Sequence, residues 1–156
     1  MPPAHSALHS TPISALIKRP PVQIDASRSL RDAVDLLRRE DVGCLVVVRD
    51  GRLVGILSER GVIERGFVAG VTGATPVAEV MRADPVTIRP DDTVGAALDL
   101  LDRRRIRNLP IVDAEGRPRG IVGVRDIVTF LTESMPQLLL NLKPEPTQSA
   151  STPEGA

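Results

Sequence analysis

The chain has 156 residues, 42% hydrophobic and 26% charged, which suits one soluble globular domain or two small intertwined halves. Formal net charge is zero and only Phe67 and Phe130 are aromatic, which excludes a general attraction to nucleic acid or anionic lipid and a base-stacking platform. A single cysteine, Cys44, excludes an internal disulfide, and no apolar run approaches the roughly 18 residues of a membrane-spanning helix.

Met1 to Ser10 is small, polar and Pro-containing, and reads as a loose tail. It has no basic segment followed by an apolar stretch, so no signal peptide is expected and cytoplasm is the default location. Thr11 can cap a short helical turn with Pro12 at its first position, carrying Ile13, Leu16 and Ile17. Val22 to Ile24 reads as a short strand. Ser29-Leu30-Arg31-Asp32 resembles a capping box, and the helix after it sets Leu30, Ala33, Val34 and Leu37 on one face. Cys44 to Val48 is continuous, apolar and mostly β-branched, as for a strand buried on both faces. Asp50-Gly51 is a hairpin turn, Leu53 to Leu57 the return strand, and Ser58 the cap of a helix to about Arg65. Residues 66–76 are rich in Gly and Thr and read as a linker. The order then repeats: a short helix at Val77 to Met81, a strand at Val86 to Ile88, a helix from Thr93 to Arg104, and a strand at Leu109 to Val112. A turn at Ala114-Glu115-Gly116, a strand at Pro118 to Val122 and a helix at Val124 to Leu131 complete it. Gln137 to Leu142 is a short apolar stretch, and Lys143 to Ala156 has a disordered composition.

The repetition is literal. Pro21-Val22-Gln23-Ile24 returns as Pro85-Val86-Thr87-Ile88 at an offset of 64, and Gly51-Arg52 with Gly55-Ile56 returns as Gly116-Arg117 with Gly120-Ile121 at an offset of 65. A unit this size cannot bury its apolar face alone, so the copies are expected to pack on each other. The expected fold is α/β (α+β): two β-α-β-β-α repeats in pseudo-twofold relation, with repeat 1 at residues 11–65 and repeat 2 at residues 77–134. Residues 1–10 and most of 135–156 are expected as tails.

Each copy carries a glycine, two aliphatics and a helix start: Gly55-Ile56-Leu57-Ser58-Glu59-Arg60-Gly61 and Gly120-Ile121-Val122-Gly123-Val124-Arg125-Asp126. With Asn108-Leu109-Pro110-Ile111-Val112 and Val86-Thr87-Ile88-Arg89-Pro90-Asp91-Asp92-Thr93-Val94, this resembles a tandem pair of cystathionine-β-synthase (CBS) domains, or Bateman module, of the stand-alone bacterial type. The family pattern is Gly-aliphatic-x-Ser/Thr-x-x-Asp. Its chemistry is legible in physical terms. A hydroxyl at a helix start, with free N–H groups beside it, suits an anion. An acid three residues on can accept from the two vicinal hydroxyls of a ribose, and the arginine before it presents a planar fork to phosphate.

The resemblance implies two inter-repeat clefts for an adenine nucleotide: AMP, ADP, ATP or S-adenosylmethionine. The favoured cleft takes Asp126, Arg125, Gly120, Ile121 and Asn108 from the second copy, with Ile17, Val22 and Val42 from the first. It keeps the acid, but Gly123 stands where the hydroxyl belongs. The weaker cleft takes Ser58, Arg60, Gly55, Ile56 and Cys44, with Met81, Val86, Ile106 and Arg107. It keeps the hydroxyl, but Gly61 replaces the acid.

Plainer roles stand beside these. Asp126 also suits a first-turn acid opposing the helix dipole, Ser58 a simple cap, and Cys44 a small buried residue. Arg103 and Arg104 suit a solvated helix end. His5 and His9 have i, i+4 spacing but no further ligands, so no metal is expected. No motif of hydrolytic, P-loop or Cys/His catalysis is present, so no enzyme activity and no required cofactor are expected. The expected function is a regulatory module that senses an adenosine-containing small molecule, forms a disk-like homodimer through its helices, and signals to a protein partner. The rivals are a scaffold with degenerate clefts, recruiting protein through Leu138 to Leu142 or the disk face, and nucleic-acid binding through Arg103 to Arg107. Zero net charge and scarce aromatics weigh against the last.

Overall fold

The computed structural model describes residues 4–134. Helix α1 (Ala4–Ser10) leads into a 3-10 turn at Ile13–Leu16. The first half then runs β1 (Gln23–Asp25), α2 (Leu30–Glu40), β2 (Cys44–Arg49), β3 (Arg52–Ser58) and α3 (Glu59–Gly61), which passes into a π-helical turn at Val62–Phe67. The second half runs α4 (Val77–Val80), β4 (Arg82–Ala83), α5 (Val94–Arg104), β5 (Leu109–Val112), β6 (Pro118–Val122) and α6 (Val124–Ser134). The fold is α+β, as the repeat implies.

Local chemistry sets the matching elements. The Ser29 hydroxyl accepts from the Asp32 N–H at 3.1 Å and starts α2, and Thr93 accepts from the Ala96 N–H at 3.1 Å and starts α5. Both helices end on a left-handed residue, Asp41 (φ 52°) and Arg105 (φ 50°). Asp50 and Gly51 have φ of 53° and 76°, the turn that joins β2 to β3 with the right twist. In α2, Leu30, Ala33 and Leu37 are buried, while Val34 is half-buried.

The halves exchange their leading segments. Ile13, fully buried, belongs to the core of the second half with Val94, Ala97, Leu109 and Ile127. Val77 and Val80 belong to the core of the first half with Leu30, Ala33, Leu45 and Leu57. Each such side chain stabilises the pairing by about 2 kcal/mol. Matched backbone bonds lock the exchange: the Val94 N–H donates to the Thr11 carbonyl at 2.9 Å, and the Leu30 N–H to the Thr75 carbonyl at 2.8 Å. Residues 66–76 are therefore tied to the start of α2, with the Arg31 N–H also bonded to the Gly73 carbonyl at 2.9 Å.

Three expectations need correction. Residues 4–10 are not a loose tail but α1, because Leu8 packs on the second core and Gly95 lets the Leu8 carbonyl approach α5 closely. Pro12 stands before its turn rather than in its first position. Val86 to Ile88 forms no strand, only a parallel bridge between Ile88 and Ile111. Its counterpart β1 pairs with β2 over three residues, and the Ala26 N–H adds a bond to the Val48 carbonyl at 2.9 Å. Pro90 occupies the place of Ala26 and has no N–H to donate. The same device acts on the other edge. β4 pairs with β3, and the Asp84 N–H bonds the Val54 carbonyl at 3.2 Å, but Pro20 stands at the equivalent of Asp84. The first half thus has a four-stranded sheet in the order β1-β2-β3-β4, and the second only β5-β6. Gln137 to Leu142 and Lys143 to Ala156 lie outside the described residues.

Candidate functional site

Two clefts lie between the halves, with Gly43 and Asn108 lining both. Both residues stand just before a central strand, Gly43 before β2 and Asn108 before β5, so the two clefts meet there.

The first cleft has a volume of about 610 Å³. Ile17, Val22, Val42, Asn108, Gly120, Ile121, Arg125 and Asp126, all expected there, line it. Pro20 and Pro21 keep the segment after Ile17 from zipping onto β6, and that segment forms a wall of the cleft instead. Ile17, Val22, Val42 and Ile121 provide aliphatic surface for a flat ring. Lys18 and Arg19, not foreseen from the sequence, also line it; the Lys18 ammonium pairs with Glu133 at 3.4 Å, and Arg19 adds positive charge beside Arg125. Their signal was available: they hold the repeat positions of Arg82 and Ala83.

Asp126 stands in the first turn of α6. Its Oδ2 accepts the Gly123 N–H at 2.7 Å, while Oδ1 has no hydrogen-bond partner among the described residues. The carboxylate thus closes its own helix start and keeps one oxygen for a ligand. A Cβ on Gly123 would lie 2.8 Å from the Arg107 carbonyl oxygen, so the family hydroxyl is missing for a packing reason. Cys44 also lines this cleft rather than the second. Burial pushes its thiol up to about 12, which makes it a wall group and not a nucleophile.

The second cleft, about 490 Å³, is lined by Ser58, Arg60, Ile56, Ile106 and Arg107 of the nine residues expected. Gly55, Cys44, Met81 and Val86 do not line it. Pairing of β4 with β3, Gly55 opposite Ala83, draws Met81 across Gly55, and Val86 packs on the second core. The Ser58 hydroxyl accepts the Gly61 N–H at 3.0 Å, the bond of a plain helix cap. Arg60 is bound to Glu64 one helical turn on, Nε to Oε1 at 2.6 Å. That hydrogen bond and the arginine's charge hold the Glu64 carboxyl below its usual range. Arg65 and Arg82 line this cleft and were not foreseen, and Arg105, singled out only within the Arg103 to Arg107 cluster, lines it too. The arginine run divides: Arg103 pairs with Asp99 at 3.0 Å, while Arg105 and Arg107 line the cleft.

A further cavity, about 980 Å³, runs along α1 and α5 and takes only Val124 from the repeated glycine motif. The rings of His5 and His9 lie 4.5 Å apart and tilted by 56°, and no group of three or more metal-ligating side chains occurs among the described residues. Among those residues, no helix is long and apolar enough to cross a membrane.

A family profile described as CBS domain matches residues 13–67 and again residues 77–133. The CBS domain-containing protein YhcV of Bacillus subtilis is 32% identical over 121 residues, covering 76% of this chain and 86% of YhcV. An uncharacterized 33.4 kDa protein of Thermofilum pendens is 35% identical over 129 residues, which span 82% of this chain but 42% of that protein. Among solved structures, the CBS domain protein PAE2072 from Pyrobaculum aerophilum, complexed with AMP, matches with a TM-score of 0.71 at 26% identity, over 83% of this chain and 98% of that one.

Proposed function

The chain belongs to the CBS domain family and carries the domain twice, and from that premise we propose that it is a regulatory module that binds an adenine nucleotide in its first cleft. One observation carries this reading: the Asp126 carboxylate, its Oδ1 without a partner among the described residues, stands at a cleft of about 610 Å³ walled by aliphatic side chains. The carboxylate accepts the two ribose hydroxyls, the base lies among Ile17, Val22, Val42 and Ile121, and Arg125 takes the phosphate. The Gly123 N–H is already taken by Asp126, so the phosphate rests on cations. AMP in the related PAE2072 supports the ligand class. Binding across the halves alters their fit, and a partner that prefers one of the two arrangements reads the change. The module works as a homodimer in the cytoplasm. Ile63, Phe67, Val68, Val124 and Val128 on the two C-terminal helical segments are exposed and supply the face. It is a sensor and not a catalyst.

A thermal-shift series with AMP, ADP, ATP and S-adenosylmethionine tests the reading. At 100 times Kd a ligand adds about 2.7 kcal/mol, or roughly 5–10 °C for a chain of this size. The scaffold reading draws on the halved motif in each cleft and on Phe67, 85% exposed. Absence of a shift with every one of these ligands at millimolar concentration selects the scaffold.

A further inference from the structure

We propose that the second cleft is an oligophosphate site, taking a short chain of phosphoryl groups, with pyrophosphate its simplest form, and reading no sugar or base. Arg60, Arg65, Arg82, Arg105 and Arg107 line it against Glu59 and Glu64, an excess of three positive charges. They arrive from separate places: the helical segment after Ser58, the β4 strand, and the turn between α5 and β5. Among the described residues Arg82, Arg105 and Arg107 form no ion pair, whereas Arg28, Arg39 and Arg103 elsewhere do.

The decisive feature is a reversal of charge at one position of the repeat. Where the first cleft has Asp126, the second has Gly61. Arg65 fills the space this leaves: its Nε donates to the Val80 carbonyl at 2.7 Å, and its guanidinium lies where a side chain of residue 61 would begin, with Cζ 3.2 Å from that Cβ position. A group that accepts from hydroxyls has been exchanged for a half-buried cation that donates to an anion. Glu64 registers the same field, its carboxyl held down first by the hydrogen bond and charge of Arg60 and further by Arg65 and Arg107. The apolar walls are reduced as well. Ile56 and Ile106 remain, while Met81 covers the glycine whose counterpart, Gly120, faces the first cleft. Planar guanidinium forks from three directions suit the oxygens of linked phosphates, and little surface remains for a base.

Free pyrophosphate and the phosphate tail of a nucleotide offer the same chemistry, so both enter the test. Calorimetry at low ionic strength is run with pyrophosphate, tripolyphosphate, ATP and GTP on the wild type, Asp126→Ala, Gly61→Asp and the pair Arg82→Ala with Arg107→Ala. Pyrophosphate and tripolyphosphate should bind the wild type and Asp126→Ala alike. Each lost arginine contact should weaken binding about 10-fold or more, and Gly61→Asp should weaken it similarly by bringing in a negative charge. ATP and GTP bound at equal strength in Asp126→Ala would place a nucleotide tail in the site, and ATP or GTP binding much more weakly than tripolyphosphate a free anion; both agree with the proposal. Pyrophosphate that fails to bind the wild type at millimolar concentration, that is lost in Asp126→Ala, or that survives both Gly61→Asp and the double arginine variant overturns it. The outcome is independent of AMP binding in the first cleft, which Asp126→Ala reports separately.

Discussion

Gly123→Ser restores the hydroxyl of the family pattern, and the geometry says that it should harm the protein. Two effects oppose each other. Gly123 precedes α6 and its carbonyl accepts from the Asp126 N–H at 3.1 Å, so it occupies the cap position, where serine exceeds glycine by only a few tenths of a kcal/mol. Against this, the new Cβ would lie 2.8 Å from the Arg107 carbonyl oxygen, some half an ångström inside ordinary C···O contact. Backbone must move, and overpacking of this kind costs about 1–3 kcal/mol. Strain wins, with a net loss of about 1–2 kcal/mol and a fall in Tm of roughly 2–8 °C. Gly61→Ala is the control. There the new Cβ meets side-chain ends alone, the guanidinium of Arg65, which can swing away, and the Ser58 hydroxyl oxygen at 3.3 Å, and the helical backbone (φ −63°, ψ −36°) favours alanine. Differential scanning calorimetry on the three proteins should show Gly123→Ser well below wild type and Gly61→Ala level with it or above. If Gly123→Ser is as stable as wild type and binds AMP more tightly, the packing explanation for the missing hydroxyl is wrong.

Ser58→Ala removes the bond to the Gly61 N–H and should cost about 1 kcal/mol in urea titration; no change in midpoint would deny Ser58 even a capping role. Cys44, ordinarily near 9.0 and here pushed up to about 12, should react with iodoacetamide at about pH 8 on the order of 1,000-fold more slowly in the folded protein than in urea. The sign for stability follows: between about pH 9 and 12 the unfolded chain releases a proton that the folded chain keeps, so stability falls as pH rises through that window. Equal alkylation rates in the two states would contradict the burial. Phe67→Asp with Val128→Asp places charge on the exposed apolar face and should convert a dimer to a monomer in light scattering, with far-UV circular dichroism unchanged. A dimer that persists would put the interface elsewhere.

Much of the fold was legible because the repeat is written in residues whose local physics is strong. Ser29 and Thr93 cap as their side chains require, Asp50-Gly51 turns the hairpin, and the apolar run from Cys44 forms a buried strand. The exchange of leading segments was not legible, since Ile13 and Val77 look alike in pattern whichever core they enter. The unequal sheets had a signal that pattern reading passed over: prolines at 20 and 90 hold positions where Asp84 and Ala26 donate an N–H. The residues lining the first cleft came from the family resemblance, which carried onto Gly120, Ile121, Arg125 and Asp126 of β6 and α6 and onto Ile17, Val22, Val42 and Asn108 in the segments beside them. Part of the second cleft was misplaced because β4, a two-residue strand, carries Met81 across Gly55. Arg65 escaped notice because it acts through space left by a glycine four residues earlier, an effect that no residue type announces alone.

The central claim is that the residue 126 carboxylate reads the paired hydroxyls of a ribose. Calorimetric titration of AMP against 2′-deoxy-AMP, on wild type and Asp126→Ala, addresses it directly. A hydrogen bond to a charged group contributes about 1.5–3 kcal/mol, so the wild type should prefer AMP by roughly 10- to 100-fold and the variant should lose that preference. Equal affinity of the wild type for both nucleotides, or an undiminished preference in Asp126→Ala, would contradict it.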